Sequence, residues 1–410
     1  MHRRHFLRAT TASAIASGLA LNGVRTWAAP AGSLVDTRLL VVFLRGAYDA
    51  SNVLVPVSSS FYYESRPTIA IARPGSGDDA ALPWTADWAL APALRDTLYT
   101  RIQSGQVAFI PFAGIDDLSR SHFETQDRVE MGLPLPGETP APRNATGTGF
   151  LNRLAVELGA RLDSDARVMA FTDQVPLSMQ GPRIVANTSL ARAGRFGVDE
   201  SHAALLERMY AGTSLGARVH EGFQTQVEVS REMEDEMSQA SRQAITAKGF
   251  EAEATRMARM MRDEVRVGFV DVGGWDTHVG EGGAKGALAS HVTDLSRGLD
   301  SFAREMGPDW DRTVVVVISE FGRTFHENGN RGTDHGHGTA FWVLGGGVKG
   351  GIHGEQVALN ATTLNQARDW PVLNEYRAVF GGLFRRLYGL DAGQLQRIFP
   401  GGTSKDLQLV

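Results

Sequence analysis

Carboxylates, histidines and an arginine crowd the segment that follows the apolar run Val314–Ile318. It reads Ser319-Glu320-Phe321-Gly322-Arg323 and then Gly332-Thr333-Asp334-His335-Gly336-His337-Gly338-Thr339. Carboxylate oxygen, imidazole nitrogen and guanidinium in such proximity suit a divalent metal or an anion. The glycines beside the histidines are expected to let the backbone turn tightly and to keep bulky neighbours away from the imidazoles. A second segment, Gly273-Gly274-Trp275-Asp276-Thr277-His278, sets a carboxylate and an imidazole two positions apart. Such a pair holds one ion through oxygen and nitrogen together, the mixed donor set that suits zinc or manganese. Asp49 follows Leu44-Arg45-Gly46-Ala47-Tyr48, and Ser121 and His122 follow Asp117-Leu118-Ser119-Arg120. There Ser119 is a candidate cap for a helix whose first turn presents both residues. Taken singly, each of these histidines reads more simply as a hydrogen-bonded loop residue. Convergence from several strand ends is what points to a site.

The elements that must position these groups are legible as short apolar runs. Leu39–Leu44, Val107–Phe112, Arg167–Phe171, Val265–Val270, Val314–Ile318 and Ala340–Leu344 are rich in β-branched and aromatic residues and predict buried strands. Helical patterns separate most of them, which predicts an α/β fold: a three-layer αβα sandwich around a mainly parallel sheet. Ligands of such sheets sit beyond the carboxyl ends of the strands, where the acids and histidines fall. Two stretches interrupt the rhythm. Residues Pro134–Gly149 read as an extended surface loop, and Glu221–Asp263 as a polar, Met-rich helical stretch, so a helical insertion is expected at about 215–263. Within it Phe223, Val227, Met233 and Met237 recur at helical spacing and read as a face packed on the core. No internal repeat is evident, and one domain over 30–410 is the simplest organisation.

The first 29 residues differ from the rest. His2-Arg3-Arg4-His5-Phe6-Leu7-Arg8, a weakly apolar stretch Ala9–Val24, Arg25 and the small Ala28 and Ala29 resemble a twin-arginine export signal. Its removal takes away four arginines and no acid, so the net charge moves from −5 to −9. A surface that acidic argues against nucleic acid as a partner. The chain has no cysteine, which excludes thiol nucleophiles and Cys-ligated zinc. No later segment reaches membrane-spanning length, so a periplasmic or secreted protein without a stable membrane span, handed on by the twin-arginine machinery, is expected. At 410 residues and 42% hydrophobic composition it can bury a substantial core.

Phe43-Leu44-Arg45-Gly46 with Asp49 and Asn52, Arg120-Ser121-His122-Phe123, Gly273 to His278, Ser319 to Thr324, and Gly332 to Gly336 with Gly345-Gly346-Gly347-Val348 resemble a bacterial family of exported proteins, domain of unknown function 1501. That family looks like a branch of the alkaline-phosphatase-like superfamily of phosphatases, sulfatases and phosphomutases. The resemblance extends from about Leu39 to Phe399-Pro400-Gly401. It implies an alkaline-phosphatase-like fold with one or two divalent ions, zinc or manganese. Asp49 resembles the early aspartate of one metal, Asp276 and His278 the pair of the other, Glu320 the late acid, and His335 or His337 the final histidine. Ser121 stands in the region of the nucleophile, at a helix start where the dipole favours an alkoxide or a bound anion. Arg323 is implied to neutralise a phosphate or sulfate oxygen. The implied activity is hydrolysis of a phosphoester. A sulfoester fits less well, because the chain lacks the cysteine, and also the serine version, of the Cys/Ser-x-Pro-x-Arg motif. The substrate implied is anionic, a small molecule or one derived from a polysaccharide. One departure stands out: Glu320-Phe321 replaces the superfamily's late Asp-His and leaves a histidine ligand missing there. The alternative reading, motivated by Phe321 and by the choice of nucleophile among Ser121, Ser119 and Ser51, is a non-catalytic, metal-containing binding or assembly protein of the cell envelope, for example one acting on an exported polysaccharide.

Overall fold

Each of the six apolar runs forms a strand in the computed structural model. The strands are β1 (Arg38–Leu44), β2 (Val107–Gly114), β3 (Arg167–Ala170), β4 (Val265–Gly273), β5 (Thr313–Ser319) and β6 (Thr339–Leu344). The structure describes residues 37–138, 145–159, 167–189, 242 and 244–410. The expected export signal over residues 1–29 lies outside the described residues, as do Phe223, Val227, Met233, Met237 and most of the expected insertion. The described end of that stretch, Phe250–Asp263, is a helix of the sandwich itself.

The six strands pair in the order β2-β6-β5-β1-β4-β3. β1 lies parallel to β4 and β5, with Leu40 opposite Gly268 on one side and Val315 on the other. β6 runs antiparallel to both β5 and β2. β1 and β5 are buried along their whole length. A strand covered on both faces has no need of alternating polarity, which is why Leu39–Leu44 and Val314–Ile318 are continuous apolar runs.

The pleat divides each run between two cores. Leu40, Val42, Leu44, Val315 and Val317 point into one, and Leu39, Val41, Phe43, Val314, Val316 and Ile318 into the other. The first core is closed by Phe250–Asp263 and by Ala287–Met306. Their buried residues recur at helical spacing: Phe250, Ala254, Met257, Ala258 and Met261 on one, Leu288, Val292, Leu295, Leu299 and Phe302 on the other. Phe150–Leu158, Tyr376–Tyr388 and Ala392–Ile398 close the second core. Helices on both faces of a mainly parallel sheet make the three-layer α/β sandwich expected. Each large apolar side chain so buried contributes about 1.5–3 kcal/mol before conformational entropy is set against it. Among the described residues no helix is long and apolar enough to cross a membrane.

The topology gathers the polar segments at one edge. β1, β2, β4 and β5 all end there, and β6, reversed, begins there. The segments after Leu44, Gly114, Gly273 and Ser319 and the segment before Thr339 therefore meet.

Candidate metal centre

Asp276 is the hub of what they form. It lies just past the end of β4, is 6% exposed, and its Oδ1 accepts from Nη1 of Arg323 at 2.7 Å. Its carboxylate also lies 2.9 Å from Nε2 of His278, 3.4 Å from Nε2 of His335 and 3.5 Å from Nε2 of His122. Nε2 of His335 lies 2.9 Å from that of His122 and 3.0 Å from that of His278. Among the described residues, the one group of three potential ligands with donor atoms all within 4.8 Å of one another is His122, Asp276 and His335. His278 joins it at the solvent side, 37% exposed.

Each imidazole is oriented from behind. Nδ1 of His122 bonds Oε1 of Glu320 at 2.7 Å, Nδ1 of His335 bonds the carbonyl of Arg120 at 3.0 Å, and Nδ1 of His278 lies 3.3 Å from Oδ1 of Asp334. An Nδ1 facing an acceptor carries its proton there, so a neutral ring turns its Nε2 lone pair inward. Converging lone pairs beside a buried carboxylate repel one another unless a cation stands among them. A set of imidazole nitrogens and one carboxylate, each ring held by an outer acceptor, fits a divalent ion. The electrostatics show a site that favours positive charge, whether carried by an ion or, without one, by a proton on His122. Burial opposes charge at Asp276, but bonds from His122, His278 and His335 and the charge of Arg323 hold its carboxyl far below the usual carboxylate range. Burial likewise opposes charge on His122, yet Asp276 and Glu320 push it up to about 9.

Glu320, fully buried at the end of β5, does not reach the three-ligand group but braces it. Its Oε1 accepts from the backbone N–H of Gly46 at 2.8 Å, from His122 and from Nε2 of Gln126 at 2.9 Å, and its Oε2 from Ser319 Oγ at 2.9 Å. Against the opposing effect of burial, His122 and Gln126 bring it down to about 2. Gln126 in turn accepts from Arg45 Nη1 at 2.8 Å, and the same guanidinium grips Asp271 at 2.7 Å and Glu130 at 2.9 Å.

The remaining expected site residues divide. Ser121 is the N-cap of the helix His122–Met131, half-buried and next to His122, and its hydroxyl makes no capping bond. Ser119, the expected cap, bonds Asp117 and Thr125 instead. Arg323 is buried, its guanidinium committed to Asp276 and to the hydroxyl and carbonyl of Thr333. Asp49 is paired with Arg66, apart from the group. His337 turns away to Asp116, 3.1 Å from its Oδ1.

The resemblance implies no role for His122, which the structure brings into the group. His122, Gln126 and Glu130 recur every fourth residue and so share one face of the helix, but a polar stripe ordinarily faces solvent, and it is the structure that buries this one. The glycines act differently from expectation. None of Gly332, Gly336 and Gly338 has positive φ. They permit close approach instead: a Cβ on Gly336 would lie 2.5 Å from the carbonyl carbon of Arg323, and one on Gly332 2.4 Å from the carbonyl oxygen of His278. Gly46 meets both demands, with φ of 116° and a Cβ position 2.7 Å from the N of Asp276.

A family model described as a protein of unknown function, DUF1501, matches residues 113–399. None of the curated proteins matches the chain. Among solved structures, a protein in the alkaline phosphatase superfamily from Vibrio parahaemolyticus is similar over 91% of this chain and 69% of its own, with 11% identity and a TM-score of 0.42. Ps i-CgsB in complex with k-i-k-neocarrahexaose is similar over 91% of this chain and 75% of its own, with 8% identity and a TM-score of 0.41. The lipoteichoic acid synthase LtaP from Listeria monocytogenes is similar over 92% and 76%, with 8% identity and a TM-score of 0.37.

Proposed function

The chain belongs to that family of unknown function, and we propose that it is an exported, metal-dependent hydrolase of a phosphoester, with a sulfoester the poorer substrate. The observation that carries this reading is the convergence of His122, Asp276 and His335, with His278 at the rim, each imidazole held through Nδ1 by an outer acceptor. These residues would hold zinc or manganese. When bound, such an ion supplies positive charge to the oxygens of a phosphoryl group. Ser121 borders the ligand His122 at a helix start, where the dipole favours a developing alkoxide. In this reading its oxygen bonds to phosphorus as the bond to the departing alcohol breaks, and the hydroxyl proton ends on that alcohol. Water then cleaves the phosphoserine, releases phosphate and restores the hydroxyl. Arg323 serves as a positioning residue, fixing Asp276 through a charge-assisted bond.

A second reading, a non-catalytic metal-containing protein of the envelope, draws on that same commitment. With Arg323 tied to Asp276 and Thr333, the arginine implied to meet the substrate is already engaged.

The deciding experiment is metal analysis of the purified protein followed by turnover of p-nitrophenyl phosphate and p-nitrophenyl sulfate. The hydrolase reading expects stoichiometric metal that is lost in Asp276→Asn. It also expects phosphate-ester turnover that is abolished by chelation and reduced at least about 100-fold in Ser121→Ala. Bound metal without turnover of either ester would select the second reading, and absence of metal after reconstitution would sink both.

A further inference from the structure

Asp49 and its surroundings connect to the metal group through Thr333 and Arg323, and they carry a cation already. Asp49 is 1% exposed and Arg66 0%. Oδ2 of Asp49 accepts from Nη1 of Arg66, while Oδ1 accepts from Nη2 at 3.0 Å and from the backbone N–H of Ser51 at 3.2 Å. The other N–H groups of the guanidinium are equally placed: Nε on the carbonyl of Phe325 at 2.7 Å, Nη1 on Oδ1 of Asn52 at 3.0 Å, Nη2 on the carbonyl of Thr324 at 2.9 Å. All five donors of Arg66 therefore have acceptors. Glu281, wholly buried, stands against Asp49 and receives the hydroxyls of Thr277 at 2.8 Å and Thr333 at 2.6 Å. Thr333 is also the residue that Arg323 grips, so Arg323 and Thr333 separate Asp276 from the Asp49 cluster.

We infer that the centre is built for a single ion, and that the Arg66 guanidinium is the permanent cation of Asp49, in the place where the superfamily resemblance implies a second metal. This rests on the reading of His122, Asp276 and His335 as metal ligands. For Asp49 to ligate an ion it would have to release Arg66, leaving a buried guanidinium without its directly bonded carboxylate beside a dication. Breaking a buried ion pair in that way is strongly unfavourable. The arrangement also supplies a reason for the Glu320-Phe321 departure. The late acid braces His122, and Phe321, stacked on the His122 ring at a centroid distance of 4.9 Å, adds packing where the resemblance implies a further ligand.

The test is the wild-type protein loaded with Mn²⁺ and desalted, with metal content per chain measured and the electron paramagnetic resonance spectrum recorded. One ion per chain with the spectrum of an isolated ion is expected. Two ions per chain, or the spectrum of an exchange-coupled pair, would overturn the inference while leaving the hydrolase reading intact. No bound ion would overturn the reading on which the inference rests. The paired variant Asp49→Asn with Arg66→Met removes both charges together, so neither is stranded. It should keep its one ion, whereas Asp276→Asn should lose it. A folded paired variant without metal would count against the inference, and if that variant fails to fold the wild-type stoichiometry and spectrum decide alone.

Discussion

At the scale of single residues, the centre depends on the groups behind the donors as much as on the donors themselves. Glu320 accepts three hydrogen bonds on one oxygen and holds the Nδ1 proton of His122. Glu320→Gln keeps the shape and an acceptor but removes the charge. The expected result is metal binding weakened about 10- to 100-fold, the usual cost of altering an outer partner of a ligating histidine. Competition with a chromophoric chelator would measure it, and unchanged affinity would show that Glu320 does not orient His122. How much of this was legible follows from where each signal lies. Asp276 and His278 sit two positions apart, and Glu320 ends an unmistakable strand, so local spacing was enough to single them out. The pairing of His122 with Glu320 spans 198 positions. Nothing in the sequence near either residue reports it, because a polar stripe such as His122, Gln126 and Glu130 ordinarily faces solvent and here is buried by tertiary packing.

Elements position these residues through the close passage of loops. The segment around Arg323 pairs antiparallel with that around His335, and the N–H of Gly336 reaches the carbonyl of Gly322 at 2.8 Å. Gly336→Ala would drive a methyl to 2.5 Å from the carbonyl carbon of Arg323. The two loops must then part, and with them Arg323, which fixes Asp276, and His335. A loss of roughly 1–3 kcal/mol in stability is expected from such overpacking, together with weakened metal binding. Gly329→Ala, whose Cβ meets nothing within 4 Å, is the control and should change neither. Denaturant titration of both variants, with and without metal, reads the difference. If Gly336→Ala behaved like the control, the loops would be free to move apart without consequence. The glycine-rich composition was conspicuous in the sequence, but composition does not distinguish a glycine that turns from one that lets another strand of backbone pass. That distinction needs the neighbour, and the neighbour is tertiary.

On the scale of the whole molecule, the strands were readable and their order was not. A run such as Val314–Ile318 declares that it is buried on both faces, but every such run makes the same declaration. The first strand among the described residues takes an interior place between β4 and β5, and β6 enters reversed. That reversal brings His335, which precedes β6, to the edge where Asp276 and Glu320 leave theirs. The centre thus ties together segments that enter or leave β2, β4, β5 and β6, with Gly46 after β1 bonded to Glu320. An ion bound there belongs to the native state alone, because the unfolded chain scatters the donors. Its stabilisation follows mass action: about 2.7 kcal/mol at a free concentration 100 times the dissociation constant. For a chain of this size that raises the melting temperature by a few degrees. Scanning calorimetry of the chelated protein against the protein with excess Zn²⁺ or Mn²⁺ should show that rise, growing with metal concentration. In Asp276→Asn the rise should vanish, because the carboxylate common to all the donor contacts is gone. A metal-dependent rise that survived in Asp276→Asn would place the ion elsewhere in the fold.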